Sequence, residues 1–476
     1  MKQAYLRQEQ EQARNEEPEM DPTFLALSGL PKTQKKKIVL KDDSRLIAFY
    51  LPQYHQIPEN SEWWGPGFTE WTNVARAKPN FSDHHQPNIP RELGFYDLTH
   101  PDTMRKQVEL AKAYGLHGLC FYYYWFSGRR VLERPIEIFE KGDFDLDYCF
   151  CWANENWTRA WDGDTKSILL EQKYDDNDAE AFISSIIGSL RNDRYIKIGG
   201  CPLLLVYRAK DIPEPTRWFR IWRDRARKEG FPGLHIAVVD FYDITTPDEV
   251  GADSLVEFPP HKFNFPQNRP DTIPAFTNPK FSGGVLDYIK VILQSVNRKP
   301  PNYKLFRGII PAWDNTPRRQ DTSTIIINSR PDLYGAWLAY LRAYSRIVHP
   351  DQENRFIFIN AWNEWGEGCY VEPDLRWGLA YLEETYRSAF YEGSSGATDE
   401  LEFSRGALVK RISEILATNA LSPSDRAADA IQKELSDYRT PHPFVWRVAA
   451  VLVGWRTVHR IAKFIFKKTY RLWAIK

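Results

Sequence analysis

The sequence is poor in several features that would direct a reading elsewhere. It has five cysteines in 476 residues, an odd number, at positions 120, 149, 151, 201 and 369. Four stand in apolar, strand-like runs, where a free thiol behaves as a small hydrophobe, and their spacing fits neither a disulfide framework nor a zinc ribbon. No uninterrupted apolar stretch reaches the ~20 residues of a membrane span. The opening run MKQAYLRQEQEQARNEEPEM is too polar for a secretory signal. A reducing, cytoplasmic setting is therefore expected. Walker, G-x-S-x-G and H-E-x-x-H motifs are missing. The net charge is zero, which removes the basic excess of a general nucleic-acid binder.

That zero conceals an asymmetry. Residues 441–476 hold eight of the 63 basic residues and no acid, leaving 55 basic against 63 acidic residues elsewhere, near −8. From Trp455 onward, Arg456, His459, Arg460, Lys463, Lys467 and Arg471 recur every three or four positions. Val458, Ile461, Ala462, Ile465 and Leu472 gather opposite them. This is the pattern of a basic amphipathic helix suited to an anionic membrane surface, and a peripheral place on the inner face of the cytoplasmic membrane is expected. Docking on the acidic body is the alternative.

What the chain has in plenty is aromatic: 17 Trp, 24 Tyr and 27 Phe. Large cores use such residues, and so do sugar sites, where C–H faces of pyranose rings stack on aromatic planes. Residues 1–44 read as a polar leader. After them, eight short apolar runs recur: 46–50, 117–125, 147–153, 202–207, 234–240, 253–258, 307–313 and 355–362. Helix-length periodic segments at 102–114, 178–190, 215–229, 285–296 and 332–348 separate many of them. Near-continuous apolar strands alternating with helices imply a parallel sheet, and eight repeats imply closure into a single (β/α)₈ barrel over 45–393. An open doubly wound sheet is the alternative, but no strand leads into a Gly-rich phosphate loop. Residues 394–440 read as a helical extension.

In a barrel, chemistry belongs at the carboxyl ends of the strands. The first run leads through Tyr50, Tyr54 and His55 to a loop carrying Trp63, Trp64, Glu70 and Trp71. The second ends in Tyr124 and Trp125, and the third in Asn154, Glu155 and Trp157. The sixth ends at Glu257, and the seventh in Trp313 and Asp314 with Arg318 beyond. The eighth ends in Asn360, Trp362, Asn363, Glu364, Trp365 and Glu367. Carboxylates, amides and aromatics thus collect at one rim. Glycosidic bond cleavage needs that mixture: carboxylates stabilise positive charge at the anomeric carbon, and a protonated carboxyl supplies the leaving oxygen with a proton. An isolated E-W-G-E would be read as a solvated loop, but several strand ends of like character point to Glu364 and Glu367 as a working pair. The DxD pairs Asp145/Asp147 and Asp162/Asp164 are weaker candidates for a metal, and His84-His85 reads as a loop pair. No metal and no cofactor is expected.

Leu46–His55, the F-T-E-W-T-N of the loop 63–73, Trp152–Arg159 and the NAWNEWGEG of 360–368 together resemble the WbsX-type glycosyltransferase-like family. That family is related to glycoside hydrolase family 99, the endo-α-mannosidases, and the likeness covers roughly residues 46–390. It implies a metal-independent barrel, a retaining reaction, and a role in making lipopolysaccharide or another surface polysaccharide. Glu364 and Glu367 match that family's base on the sugar 2-hydroxyl and its general acid. Pro311–Thr316 with Arg318 is similar to its strand-seven substrate segment, and Glu155 to an acidic sugar-binding position. The chain departs from the pattern in its Y-L-P-Q-Y-H run and its long loops across 61–100. The implied substrate is an oligosaccharide or lipid-linked glycan. A nucleotide-sugar-dependent transferase and a catalytically silent binding relative are the alternatives.

Overall fold

In a computed structural model of the chain, residues 44–158, 168–263, 266–390 and 400–419 are described. Eight strands form the centre: β1 Arg45–Tyr50, β2 Gly118–Phe126, β3 Asp147–Trp152, β4 Cys201–Val206, β5 His235–Val239, β6 Ser254–Val256, β7 Leu305–Ile309 and β8 Phe356–Ile359. Each pairs in parallel with the next, and β8 pairs with β1 through Arg45↔Phe356 and Ile47↔Phe358, so the sheet closes. All eight expected strands are present, and the chain folds as a (β/α)₈ barrel. The seventh begins two residues earlier than its apolar run and ends at Ile309, where the chain turns toward the mouth.

Helices follow from local signals. Pro101, Pro215 and Pro331 open helices Pro101–Ala113, Pro215–Lys228 and Pro331–Val348, where a missing N–H costs nothing. Asp175 caps Asp176–Leu190 by accepting from the Asp178 N–H at 2.9 Å. The expected helix 285–296 begins later: Gly284–Asp287 is a strand paired with Thr324–Ile327, and Asp287 then caps Tyr288–Asn297. Helices Arg134–Lys141 and Ala380–Arg387 escaped the periodicity because each has only eight residues. Between β5 and β6 the connection carries just a 3₁₀ turn, Pro247–Val250.

Alternation along β2 decides what reaches the mouth. Tyr122 faces inward, with its ring 6.0 Å from Phe49, while Tyr123 and Trp125 face the helices. Much of the aromatic content is core: Trp152 stacks on Trp218 at 5.6 Å and packs on Phe182 and Trp222. The helical extension is seen as Glu400–Asn419, which buries Leu408, Ile412 and Ile415 against the body beside Pro331–Val348. Residues 1–43 of the leader 1–44, Asp162/Asp164, residues 394–399 and 420–440 of the extension and the basic segment 441–476 lie outside the described residues. Asp147 opens β3 at the amino end of the barrel, opposite the mouth.

Glu257, expected at the rim, points instead into an ion network between barrel and helices. Its carboxylate takes Arg307 Nε at 2.7 Å, Arg298 Nη1 at 2.8 Å and the Gly308 N–H at 3.1 Å. Arg298 also pairs with Asp240 at 2.8 Å, and Lys262 reaches Asp240 at 2.6 Å. Burial opposes ionisation of Glu257, but the two arginines outweigh it and hold its pKa below the usual carboxylate value. Removing one partner strands a buried charge, whereas apolar replacement of both can be near neutral. Arg307→Met should therefore cost about 3 kcal/mol in urea unfolding, with much of the loss recovered in the double variant with Glu257→Leu.

Candidate active site

The mouth is organised by one guanidinium. Trp313–Asp314 forms a short strand against Thr324–Ile327, and Pro317 helps start the short helix Thr316–Arg319 that carries Arg318. Arg318 grips Glu70 with two nitrogens, Nε to Oε1 at 2.5 Å and Nη2 to Oε2 at 2.9 Å. Nη2 also donates to Glu364 Oε1 at 2.9 Å, and Nη1 lies 3.2 Å from Glu367 Oε1. One cation, carried beyond β7, thus joins three carboxylates from the loops after two barrel strands, β1 and β8. Glu70 is fully buried and also receives Gln53 Nε2. Burial works against the charge of Arg318, but Glu364, Glu70 and Glu367 more than offset it and raise its pKa.

The three acids carry more negative charge than one arginine balances. Burial raises the pKa of Glu364 well above the ordinary value; Arg318 opposes this, while Glu70 and Glu367 add to it. Glu367 is raised in the same way, burial leading and Arg318 opposing. Glu364 is the deeper, its side chain 5% exposed against 25% for Glu367. A pair so placed holds a proton to higher pH than ordinary carboxyls do.

The backbone between the acids is a 3₁₀ turn, Trp365–Glu367, ending on Gly368 at φ +58°. It sends both carboxyls to Arg318. Gly366 cannot be larger, because a Cβ there would meet Glu70 Oε1 at 2.2 Å and Arg318 Nε at 2.8 Å. The Gly366 N–H donates to the Tyr54 hydroxyl at 3.1 Å, and the Tyr54 ring lies 4.4 Å from that of Trp71, which also packs on Trp365. Tyr124 faces the same group: burial raises its pKa, with Glu364 adding and Arg318 opposing. Trp157 packs edge-on against Tyr124 at 5.3 Å and Trp63 at 5.9 Å, and half-buried Trp64 against Phe68.

Across the mouth, Glu155 is accessible to solvent yet crowded by the cleft walls. That crowding pushes its pKa up to about 7, with Arg208 opposing and Asp211 and Glu367 adding. Arg208 lies over the Phe241 ring at 4.2 Å and reaches Asp211 and Asp243 at 3.4 and 3.5 Å. The Tyr207 hydroxyl meets His261 Nε2 at 3.2 Å. Asp314 accepts from the Thr316 N–H, and its other oxygen takes Gln86 Nε2 and His84 Nε2, each at 2.6 Å. Because His84 Nδ1 accepts from the Asn80 N–H at 2.9 Å, Nε2 is the nitrogen that carries the proton.

Other expected site residues are scaffold. Tyr50 turns outward and donates to Gln107 at 2.8 Å, and Trp125 donates outward to Asp178 at 3.0 Å. Their places in strand alternation, one residue from the inward-facing phase, put them behind the wall. Asn154 joins β3 to β4 by exchanging hydrogen bonds with the Arg208 backbone, and Asn360 Nδ2 donates to the Pro259 carbonyl at 2.7 Å. Asn363 clips the end of β1, accepting from the Leu51 N–H and donating to its carbonyl. Trp313 and Trp362 are buried in the core, and the charged neighbour of buried His55 is Asp97. Gln53, Tyr207, Arg208 and His261 were not singled out, although Gln53 lies in the quoted Y-L-P-Q-Y-H run. Among the described residues no cluster of His, Cys, Asp and Glu is arranged to hold a metal.

The family described as "Glycosyltransferase WbsX" matches residues 46–385. Over 358 residues the chain is 43% identical to an uncharacterized protein, WxcX, of Xanthomonas campestris pv. campestris, covering 74% of this chain and 50% of that protein. WxcX of strain B100 is 41% identical over 391 residues, covering 81% and 54%. The chain therefore spans about half the length of these relatives. Among solved structures, a family 99 endo-α-mannosidase from Bacteroides thetaiotaomicron is 15% identical with a TM-score of 0.45, covering 77% of this chain and 99% of that one. A glycoside hydrolase-like protein is 13% identical with a TM-score of 0.44, covering 76% and 98%.

Two substitutions test the cluster without a substrate. Gly366→Ala should separate Glu70 from Arg318 and lower stability by about 1–3 kcal/mol in thermal or urea unfolding, as overpacking does. Glu364→Gln should act in the opposite direction above acidic pH. A carboxyl whose folded pKa lies above its unfolded value stabilises fully below the unfolded pKa of 4.5 and loses that contribution as pH rises through the raised one. The variant should thus gain on the wild type as pH rises, by on the order of 1 kcal/mol at neutrality. A melting-temperature difference that is flat between pH 4 and 8 would contradict the raised pKa.

Proposed function

The chain belongs to the WbsX glycosyltransferase family of carbohydrate-active enzymes, and from that premise we propose that it cleaves or transfers glycosidic bonds by a retaining reaction run by Glu364 and Glu367. The observation that carries this is the shared contact of both acids with Arg318 at the carboxyl end of the barrel. In the first step Glu364 takes the proton of the sugar 2-hydroxyl. That oxygen bonds to C1, the C1–O bond to the leaving group breaks, and Glu367 gives the departing oxygen its proton. In the second step, water or an acceptor hydroxyl attacks C1 and passes its proton to Glu367. The C1–O2 bond opens, and O2 recovers its proton from Glu364. Neither step consumes an external reagent.

In the ligand-free site burial raises the proton affinity of both acids. A sugar hydroxyl donating to Glu364, beside the guanidinium already there, favours its anion. The proton then rests on Glu367, facing the leaving oxygen. Five charged groups in the loops beyond β3, β4, β5 and β8 bear on the donor. Arg208 is engaged with Asp211 and Asp243, and Glu155 and Glu367 face the same space. This acidic surround supports a glycan with an uncharged leaving group over a nucleoside diphosphate sugar.

The substrate we propose is an oligosaccharide or lipid-linked glycan of a surface polysaccharide such as lipopolysaccharide, handled in the cytoplasm at the inner face of the membrane. Residues 441–476 would supply the attachment to anionic lipid. No described helix is long and apolar enough to cross a membrane. Deleting 441–476 should abolish sedimentation with phosphatidylglycerol vesicles and leave turnover of a soluble glycan unchanged; undiminished sedimentation would remove the membrane role.

Incubation with a panel of glycans and sugar donors, read by mass spectrometry, tests the activity itself. With a substrate in hand, Glu364→Gln and Glu367→Gln should each lose on the order of 10²–10⁴-fold in kcat. Glu367→Gln should lose least on an aryl glycoside whose leaving group needs no proton, whereas Glu364→Gln should lose equally on both. Because burial raises the acid, the alkaline limb of kcat/KM should fall above pH 4.5. Near-normal turnover by either folded variant would exclude that residue from the chemistry.

A further inference from the structure

Behind the two acids lies a third buried carboxylate with no part in the proposed proton transfers. Glu372 is 2% exposed and is surrounded by donors rather than cations. Trp365 Nε1 donates to its Oε2 at 2.7 Å, the Tyr96 hydroxyl to the same oxygen at 2.8 Å, and Gln107 Nε2 to its Oε1 at 2.6 Å. The Trp362 indole nitrogen lies beside it without meeting hydrogen-bond geometry. Gln107 is itself oriented, because its Oε1 accepts from the Tyr50 hydroxyl at 2.8 Å.

The polarity of this network is fixed from outside. Tyr50 donates to Gln107 Oε1, which leaves the amide nitrogen facing Glu372. Tyr96 receives Asn363 Nδ2 at 3.4 Å, so its own proton is directed to the carboxylate. Every partner therefore presents a hydrogen to Glu372, an arrangement that suits the ionised form. Burial pushes its pKa up to about 7, and the donors from Trp365, Gln107 and Tyr96 oppose that rise. The titratable groups facing it are Tyr50 on β1 and Tyr96 in the loop before helix Pro101–Ala113. The loop after β8 contributes only the two indoles.

The connections lead to both sides of Glu364. Trp365, its neighbour on one side, is held directly by Glu372 and is stacked on Tyr370 at 3.7 Å and 16°. Asn363, its neighbour on the other, reaches Glu372 through Tyr96 while clipping the Leu51 backbone. We infer that Glu372 is a positioning residue for Glu364, fixing both of its neighbours and hence the 3₁₀ turn that sets Glu364 against Glu367 on Arg318. In rate terms this rests on the proposed role of Glu364; in structural terms it does not.

The test therefore has one arm that needs no substrate. In ¹⁵N-labelled protein, Glu372→Leu should move the Trp365 indole N–H resonance upfield and shift the Arg318 Nε–H resonance. The remote Arg307→Met should move neither. An Arg318 resonance unchanged in Glu372→Leu would overturn the inference, whatever becomes of the activity. In the kinetic arm, Glu372→Leu should lose about 10²-fold in kcat with KM within about twofold, since small displacements of reacting groups act on the chemical step. Glu372→Gln should recover most of that loss, because the Gln107 amide can flip to meet it. Equal loss in kcat for Arg307→Met at matched folded fraction would reduce Glu372 to general stability and sink the idea. Should Glu372→Leu not fold, Glu372→Gln with Tyr96→Phe replaces it: Tyr96→Phe severs the route to Asn363 and should shift Arg318 alone. Absence of any wild-type turnover would count against the proposed reaction and leave the resonance arm to decide.

Discussion

Everything at the mouth of this barrel is arranged around the cost of burying three carboxylates against one guanidinium. Arg318 must be ionised, and Glu70 occupies two of its nitrogens. The remaining capacity is divided between Glu364 and Glu367, so neither acid is fully neutralised. The sharing makes their proton affinities interdependent. It also dictates local sequence: a glycine at 366 to admit Glu70, a tight turn through 365–367, and a short helix that delivers Arg318 directly after β7. A lysine at 318 would supply the charge but not the fork that addresses three partners at once.

The fold was largely legible because a barrel is written in runs that repeat. The strands are apolar on both faces, and prolines and acids mark several helix starts. Short helices were not legible, since eight residues hold too few periods to stand out. The start of Tyr288–Asn297 was misplaced because Val285 and Leu286 fit a helical stripe and a strand equally well; only pairing with Thr324–Ile327 decides between them.

At the site, residue type was easier to read than direction. Tyr54, Glu70, Tyr124, Arg318, Glu364 and Glu367 converge, and their strand-end positions showed that they could. Tyr50 and Trp125 stand at equally suggestive places and face the helices, because inward or outward is set by a phase that an all-apolar strand does not display. Asn154, Asn360 and Asn363 looked like sugar ligands and proved to join strand ends, a use of amides that composition alone cannot separate from recognition. Glu257 was misread for the same reason: its partners Arg298 and Arg307 lie 41 and 50 residues away.

The link between β5 and β6 lacks the helix that covers most other strand pairs. By apolar covering alone this sector would be the seam at which a warmed barrel opens first. The ion network of Asp240, Glu257, Lys262, Arg298 and Arg307 lies across the same sector. Hydration of charged groups weakens as temperature rises, so the penalty for keeping ions out of water shrinks with heating while apolar burial levels off. The thinly covered side of the barrel thus gains relative strength on warming, and first opening falls to sectors closed by apolar contacts alone.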